Sequence, residues 1–212
     1  MKRFIKVTMA ALAVCCMSAH ADTTTTIYGE IESQWVFNNG TVASNGPVGQ
    51  GGITFGDALW VDLWGSYGLS NGDDGREVDL TFGWNINDYF TASVGLFNIG
   101  TNIGTDVEVI KTAIDYRCGP WSLHAYHVNP KTATHGLGMD VDYDLGNGFN
   151  AGFSFGRVEF SGDTFVTVHP SWSTDLSENV HFKVETNYKL IGDTDDRFNL
   201  WVGVGGAFSF TN

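Results

Sequence analysis

Val180-His181-Phe182-Lys183-Val184-Glu185-Thr186-Asn187-Tyr188-Lys189-Leu190 is the stretch whose reading decides the fold. Val180, Phe182, Val184, Thr186, Tyr188 and Leu190 alternate with His181, Lys183, Glu185, Asn187 and Lys189. Successive side chains of an extended strand point to opposite faces, so this is a strand with one apolar and one charged face. The pattern recurs outward from here. Val78, Leu80, Phe82 and Trp84 oppose Glu77, Asp79, Thr81 and Gly83, and Leu137, Met139, Val141, Tyr143 and Leu145 oppose Asp140, Asp142 and Asp144. Phe198, Leu200, Val202, Val204, Phe208 and Phe210 repeat it near the end of the chain.

Read throughout, period two predicts strands at 27–37, 49–56, 58–69, 76–85, 89–99, 106–118, 121–130, 134–145, 149–160, 163–173, 179–191 and 197–210. Most are about ten residues or more, whereas strands of soluble sheets average about five or six. About ten tilted residues cross a hydrocarbon core. The expected fold class is therefore all-β, a closed antiparallel transmembrane barrel of about twelve strands (ten to fourteen). Gly49, Gly51, Gly52 and Gly56 dilute the pattern of the second strand. A soluble β-sandwich is the alternative, since its strands alternate as well.

The connections fall into two sets. Gly56-Asp57, 85–88, Cys118 to Pro120, Gly146-Asn147-Gly148 and 174–179 alternate with 38–48, 70–75, 100–105, 131–133, 161–162 and 192–196. Outer-membrane barrels have short periplasmic turns and longer outer loops, so both termini are expected in the periplasm. Trp84, Phe90, Tyr116, Trp121, Tyr143, Phe149 and Trp172 flank the first set on the apolar face. That is where an interfacial aromatic girdle belongs.

Residues 1–21 read as a cleaved signal peptide. Lys2, Arg3 and Lys6 precede an apolar stretch from Val7 to Met17, and Ala19-His20-Ala21 supplies a small-residue cleavage site. The apolar stretch is shorter than the roughly 20 residues a spanning helix needs. Residues 22–212 form the single expected barrel domain. They keep eight basic against 24 acidic residues, a formal charge of −16. Nucleic acid is excluded as a partner, because polyanions recruit Lys and Arg. Cys15 and Cys16 leave with the leader, so Cys118 has no disulfide partner and no cysteine-based metal site forms.

On these grounds the chain resembles Gram-negative outer-membrane β-barrels of the small porin class. Their last strand alternates and finishes on an aromatic that the barrel-assembly machinery reads; Val202, Val204, Phe208 and Phe210 match it, with Thr211 and Asn212 following. The front of the chain, Trp35-Val36-Phe37, Gln50-Gly51-Gly52 and Leu59-Trp60-Val61-Asp62-Leu63-Trp64-Gly65-Ser66, is similar to TorF-type porins. The resemblance implies outer-membrane lipids, lipopolysaccharide and the assembly machinery as partners, and passive diffusion of small hydrophilic solutes as function.

If the apolar face meets lipid, the other face lines a lumen. Glu30, Glu32, Asp62, Glu77, Asp79, Asp140, Asp142, Asp144 and Glu185 then meet Lys111, Arg117, His124, Lys183 and Lys189. Acids outnumber bases, which favours cations over anions in a wet pore. The same charges could instead close a filled, structural or adhesive barrel with salt bridges. The row Asp140, Asp142, Asp144 shares a face but does not resemble a calcium loop, and no metal or cofactor is expected. His169-Pro170-Ser171 is the one nucleophile-and-base motif, since His and Ser two apart share a face and a barrel lipid hydrolase would need such a pair. No third, orienting group is identifiable beside it. His124 and His127, three apart, face opposite ways and make poor joint ligands. No enzymatic step is expected.

Overall fold

The computed structural model describes residues 23–37, 42–44, 46–70, 77–99, 109–130, 134–158, 162–192 and 197–211. The signal-peptide reading of residues 1–21 lies outside them. Among the described residues all regular structure is β: β1 (Thr24–Glu32), β2 (Trp35–Val36), β3 (Val42–Ser44), β4 (Val48–Gly56), β5 (Leu59–Gly68), β6 (Glu77–Asn85), β7 (Phe90–Ile99), β8 (Val109–Cys118), β9 (Trp121–Pro130), β10 (Gly136–Gly146), β11 (Phe149–Arg157), β12 (Thr164–Val168), β13 (Ser171–Ser177), β14 (Val180–Ile191) and β15 (Phe198–Thr211).

Every long strand pairs antiparallel with its neighbours, and β15 returns to β1 in register from Thr24↔Thr211 to Glu32↔Gly203. The sheet is closed. β12 and β13 lie end to end between β11 and β14, so they fill one position and the barrel has twelve. The reading at 163–173 expected one strand there. Pro170 is the reason for the break: it has no N–H for the ladder. The chain recovers by letting Pro170 O accept bonds from the Thr186 N–H (3.1 Å) and hydroxyl (3.0 Å).

The segment 27–37 also departs from a single strand. The ladder stops at Glu32, where Ser33 turns to bond Val202 through both its N–H (2.8 Å) and its Oγ (3.1 Å). The chain then forms the small β2–β3 hairpin, whose Val36 and Ser44 are buried. By contrast, the glycine-rich 49–56 segment is a full strand, β4.

The short connections lie at the end that carries Thr24 and Thr211, here termed the turn rim; the longer ones lie at the loop rim. Asn147 (φ 55°) and Gly148 (φ 80°) join β10 to β11. Both need the left-handed region that Asn and Gly tolerate, which gives the primed turn matching the twist of a hairpin.

The outer wall is apolar. Ile27, Ile31, Leu63, Ile114, Leu137, Leu200 and Val204 are all about half exposed, and the turn rim carries the aromatic pairs Phe90–Tyr116 (4.8 Å), Trp121–Tyr143 (4.6 Å) and Phe149–Trp172 (6.3 Å). In water each such Leu or Ile would forfeit on the order of 2 kcal/mol. Summed over the belt, that exceeds the about 5–15 kcal/mol by which soluble domains are stable. A sandwich would bury this face, so the soluble alternative fails and lipid is the matching solvent.

Candidate functional site

With the apolar parity turned outward, the register places the other parity inward. Glu30 and Glu32 on β1, Asp62 on β5, Glu77 and Asp79 on β6, Lys111 and Arg117 on β8, and His124 on β9 share that inner face. Asp140, Asp142 and Asp144 on β10, and Lys183, Glu185 and Lys189 on β14, complete it.

The structure sorts these charges into local groups. Lys183 Nζ lies 2.6 Å from Glu32, 2.7 Å from Glu185 and 3.0 Å from Glu30. Glu30 and Glu32 belong to β1, two strands away from β14, and the lysine reaches them by crossing β15 at Gly203, which has no side chain to block it. Trp201 Nε1–H donates to Glu185 at 2.8 Å and fixes the third carboxylate. On the other side of β1, Asp62 of β5 accepts from the Tyr28 hydroxyl at 2.8 and 2.9 Å and from Thr54 Oγ1 at 2.6 Å. Lys111 Nζ sits 4.7 Å from the Tyr126 ring centroid and 5.9 Å from that of Phe97, within cation–π range of both.

A hydrogen bond to a charged group contributes about 1.5–3 kcal/mol. Tyr28→Phe removes the bonds to Asp62 while keeping the ring, so its thermal unfolding midpoint is expected to fall by roughly 5 °C. The gel shift between folded and heated barrel measures it; an unchanged midpoint would show that water replaces the hydroxyl at no cost.

The His169-Pro170-Ser171 motif resolves differently from its spacing. His169 bonds Ser154 on β11 (Nε2 to Oγ, 2.6 Å), not Ser171, and its Nδ1 lies 3.7 Å from Asp142 on β10. Serine, imidazole and carboxylate are thus brought together in the order of a nucleophile relay, but with the access of its members inverted. Ser154 is fully buried (0 %), and the acid is the member nearest the open lumen. A nucleophile must be the accessible member. The trio braces β10 and β11 against the break at Pro170. His124, for its part, pairs with Asp115 at 2.7 Å.

Access to the inner face is graded along the axis. Near the loop rim Val48 (0 %), Val109 (1 %), Phe165 (2 %) and Glu32 (3 %) are buried, whereas Arg117, Asp144 and Asp175 near the turn rim are exposed. A cavity of about 510 Å³ opens there, lined by Arg117, Asp142, Asp144, Asn150, His169, Ser171, Glu185 and Trp201 among others. Among the described residues the inner face is more accessible at the turn rim than toward the loop rim.

Among solved structures, the KdgM porin superposes with a TM-score of 0.55 at 13% identity, over 87% of this chain and 99% of that one. The chain has a porin-type barrel fold. The Acinetobacter baumannii outer membrane protein Omp33 gives a TM-score of 0.47 at 13% identity, covering 90% and 99% of the two chains. An outer membrane channel from Pseudomonas putida F1 gives 0.45 at 10% identity, covering 90% and 96%. No family model and no curated protein matches the sequence. The closed barrel and its apolar belt point to the outer membrane.

Sequence reasoning missed the connectivity of the site. Period two assigns a face but not a register, and the Lys183 cluster depends on the seam between β1 and β15, which are some 170 residues apart.

Proposed function

We propose that the barrel is a passive outer-membrane channel for small hydrophilic solutes, with a preference for cations. The carrying observation is a closed twelve-strand wall with an apolar outer belt and an acidic, partly accessible interior. Size exclusion acts in the loop-rim half, where inward side chains are buried, and the field of the lining carboxylates raises the local cation concentration. The fourteen titratable side chains named above, from Glu30 to Lys189, form the lining in this reading. Both termini are periplasmic in this reading, so the accessible mouth with Asp142, Asp144 and Arg117 faces the periplasm. No chemical step is involved, since the buried Ser154 offers no nucleophile.

The belt meets lipid and lipopolysaccharide, and the alternating β15, with Phe208 and Phe210 near its end, is what the assembly machinery reads. Proteoliposomes carrying the barrel should swell faster in a small neutral sugar than in a large one. Absence of swelling would favour a filled, structural barrel, the reading that the buried ring of Val48, Val109 and Phe165 supports. Asp142→Asn with Asp144→Asn removes charge at the accessible mouth. The reversal potential in a KCl gradient is expected to move toward zero in that variant; an unmoved potential would place the selectivity elsewhere.

A further inference from the structure

The outer wall near the loop rim carries two histidines that the channel reading does not use. His127 lies on β9, held between Thr112 of β8 and Leu137 of β10, and shares the outward parity of Leu123 and Ala125. His135 immediately precedes β10, two residues before Leu137, so it occupies the diagonal cross-strand position on the same face. The separation of eight residues hides this pairing from any local pattern.

His127 Nε2 and His135 Nδ1 are 3.2 Å apart, with ring centroids 5.2 Å apart and planes inclined at 49°. The rings are not stacked; their nitrogens face each other. Metal–imidazole bonds are about 2.0–2.1 Å long, which puts two ligands on one tetrahedral or tetragonal ion about 3–3.4 Å apart. The pair already stands at that separation.

We infer that His127 and His135 form a two-ligand site for a divalent transition-metal ion, with Cu²⁺ the strongest occupant. Both side chains are exposed at the loop-rim end of the outer wall, where the remaining coordination positions are free for ligands from outside the chain. No third His, Cys, Asp or Glu completes a metal-holding group among the described residues. A purely imidazole donor set selects Cu²⁺ and Zn²⁺ over Ca²⁺ and Mg²⁺, and Cu²⁺ heads the affinity order. Each imidazole ligates through an unprotonated nitrogen, its N–H moving to the far ring position, so binding weakens as the pH falls.

The test is a Cu²⁺ titration of the tag-free mature barrel in detergent, followed by electron paramagnetic resonance. It is made in a Cys118→Ser background, because that thiol is exposed and free. The expected result is one Cu²⁺ per chain with a two-nitrogen equatorial signature. His127→Gln and His135→Gln should each weaken it by about tenfold or more while leaving the heat-modifiable gel shift intact. Absence of binding in large excess of Cu²⁺, or binding that survives the double substitution unchanged, would overturn the assignment. Neither result bears on conductance, so the site and the channel stand or fall separately.

Discussion

Lys183→Met is expected to lower the thermal unfolding midpoint of the barrel by on the order of 10 °C. The lysine is the ionic partner of Glu30, Glu32 and Glu185, all within 3.0 Å, and Glu32 is almost wholly buried. Methionine keeps the aliphatic bulk but leaves three carboxylates facing one another in a poorly solvated corner. Breaking a buried pair by deleting one partner costs about 3–5 kcal/mol, much of it the penalty of the charge left behind. That penalty is removable. Adding Glu32→Gln and Glu185→Gln to Lys183→Met should recover most of the midpoint, because the repulsion goes with the charge. The readout is the temperature at which the fast-migrating folded form disappears from a gel. A single variant as stable as the parent would mean that the cluster is solvated enough to need no counter-charge.

Gly156→Val is expected to abolish the folded form. A Cβ at Gly156 falls against the carbonyl oxygen of Leu137 and 2.6 Å from the Cα of Gly138, with Phe165 Cε1 at 3.0 Å. Two of these three obstacles are backbone of β10, so no rotamer change relieves them and the β10–β11 seam must part. A barrel with an open seam exposes unpaired N–H and C=O groups to hydrocarbon, at several kcal/mol each. Gly65→Ala is the matched control. Its nearest obstacle is Glu77 O at 3.4 Å, an ordinary contact, and its side faces outward. The control should fold and run as the parent does. Folding of Gly156→Val with an unchanged midpoint would show that the seam tolerates a wider spacing than the structure gives it.

These two positions also show what was legible in the residues alone. Strands such as Glu77–Asn85, Trp121–Pro130 and Val180–Ile191 were read almost to the residue, because their alternation is strict and lipid enforces it. The glycine-diluted segment 49–56 read weakly, yet it is as long a strand as β1. Its Gly52 lies beneath the ring of Tyr28, as Gly83 lies beneath Trp60 and Gly138 beside Tyr126. Inward aromatic rings need a neighbour with no side chain, so the pattern-breaking glycines are packing partners that hydropathy cannot register. Where the structure departs from the alternation, in the segment 27–37 and near Pro170, a long-range bond (Ser33 to Val202) or a missing N–H overrides the periodicity.

The charged lining was recognisable as a face, but not as a set of contacts. Lys183 with Glu30, Asp142 with His169, and His127 with His135 each require a register that only the closed sheet supplies. The His169 motif illustrates the cost of reasoning from spacing: Ser171 was adjacent in sequence, while Ser154 was adjacent in space.

The most direct test of the channel is single-channel recording of the purified, tag-free barrel in a planar bilayer, with folding verified by its gel shift. The expected result is discrete, ohmic conductance steps and, in a KCl gradient, a reversal potential of the sign that marks K⁺ as the more permeant ion. Folded, inserted protein that leaves the bilayer at its baseline current would contradict it.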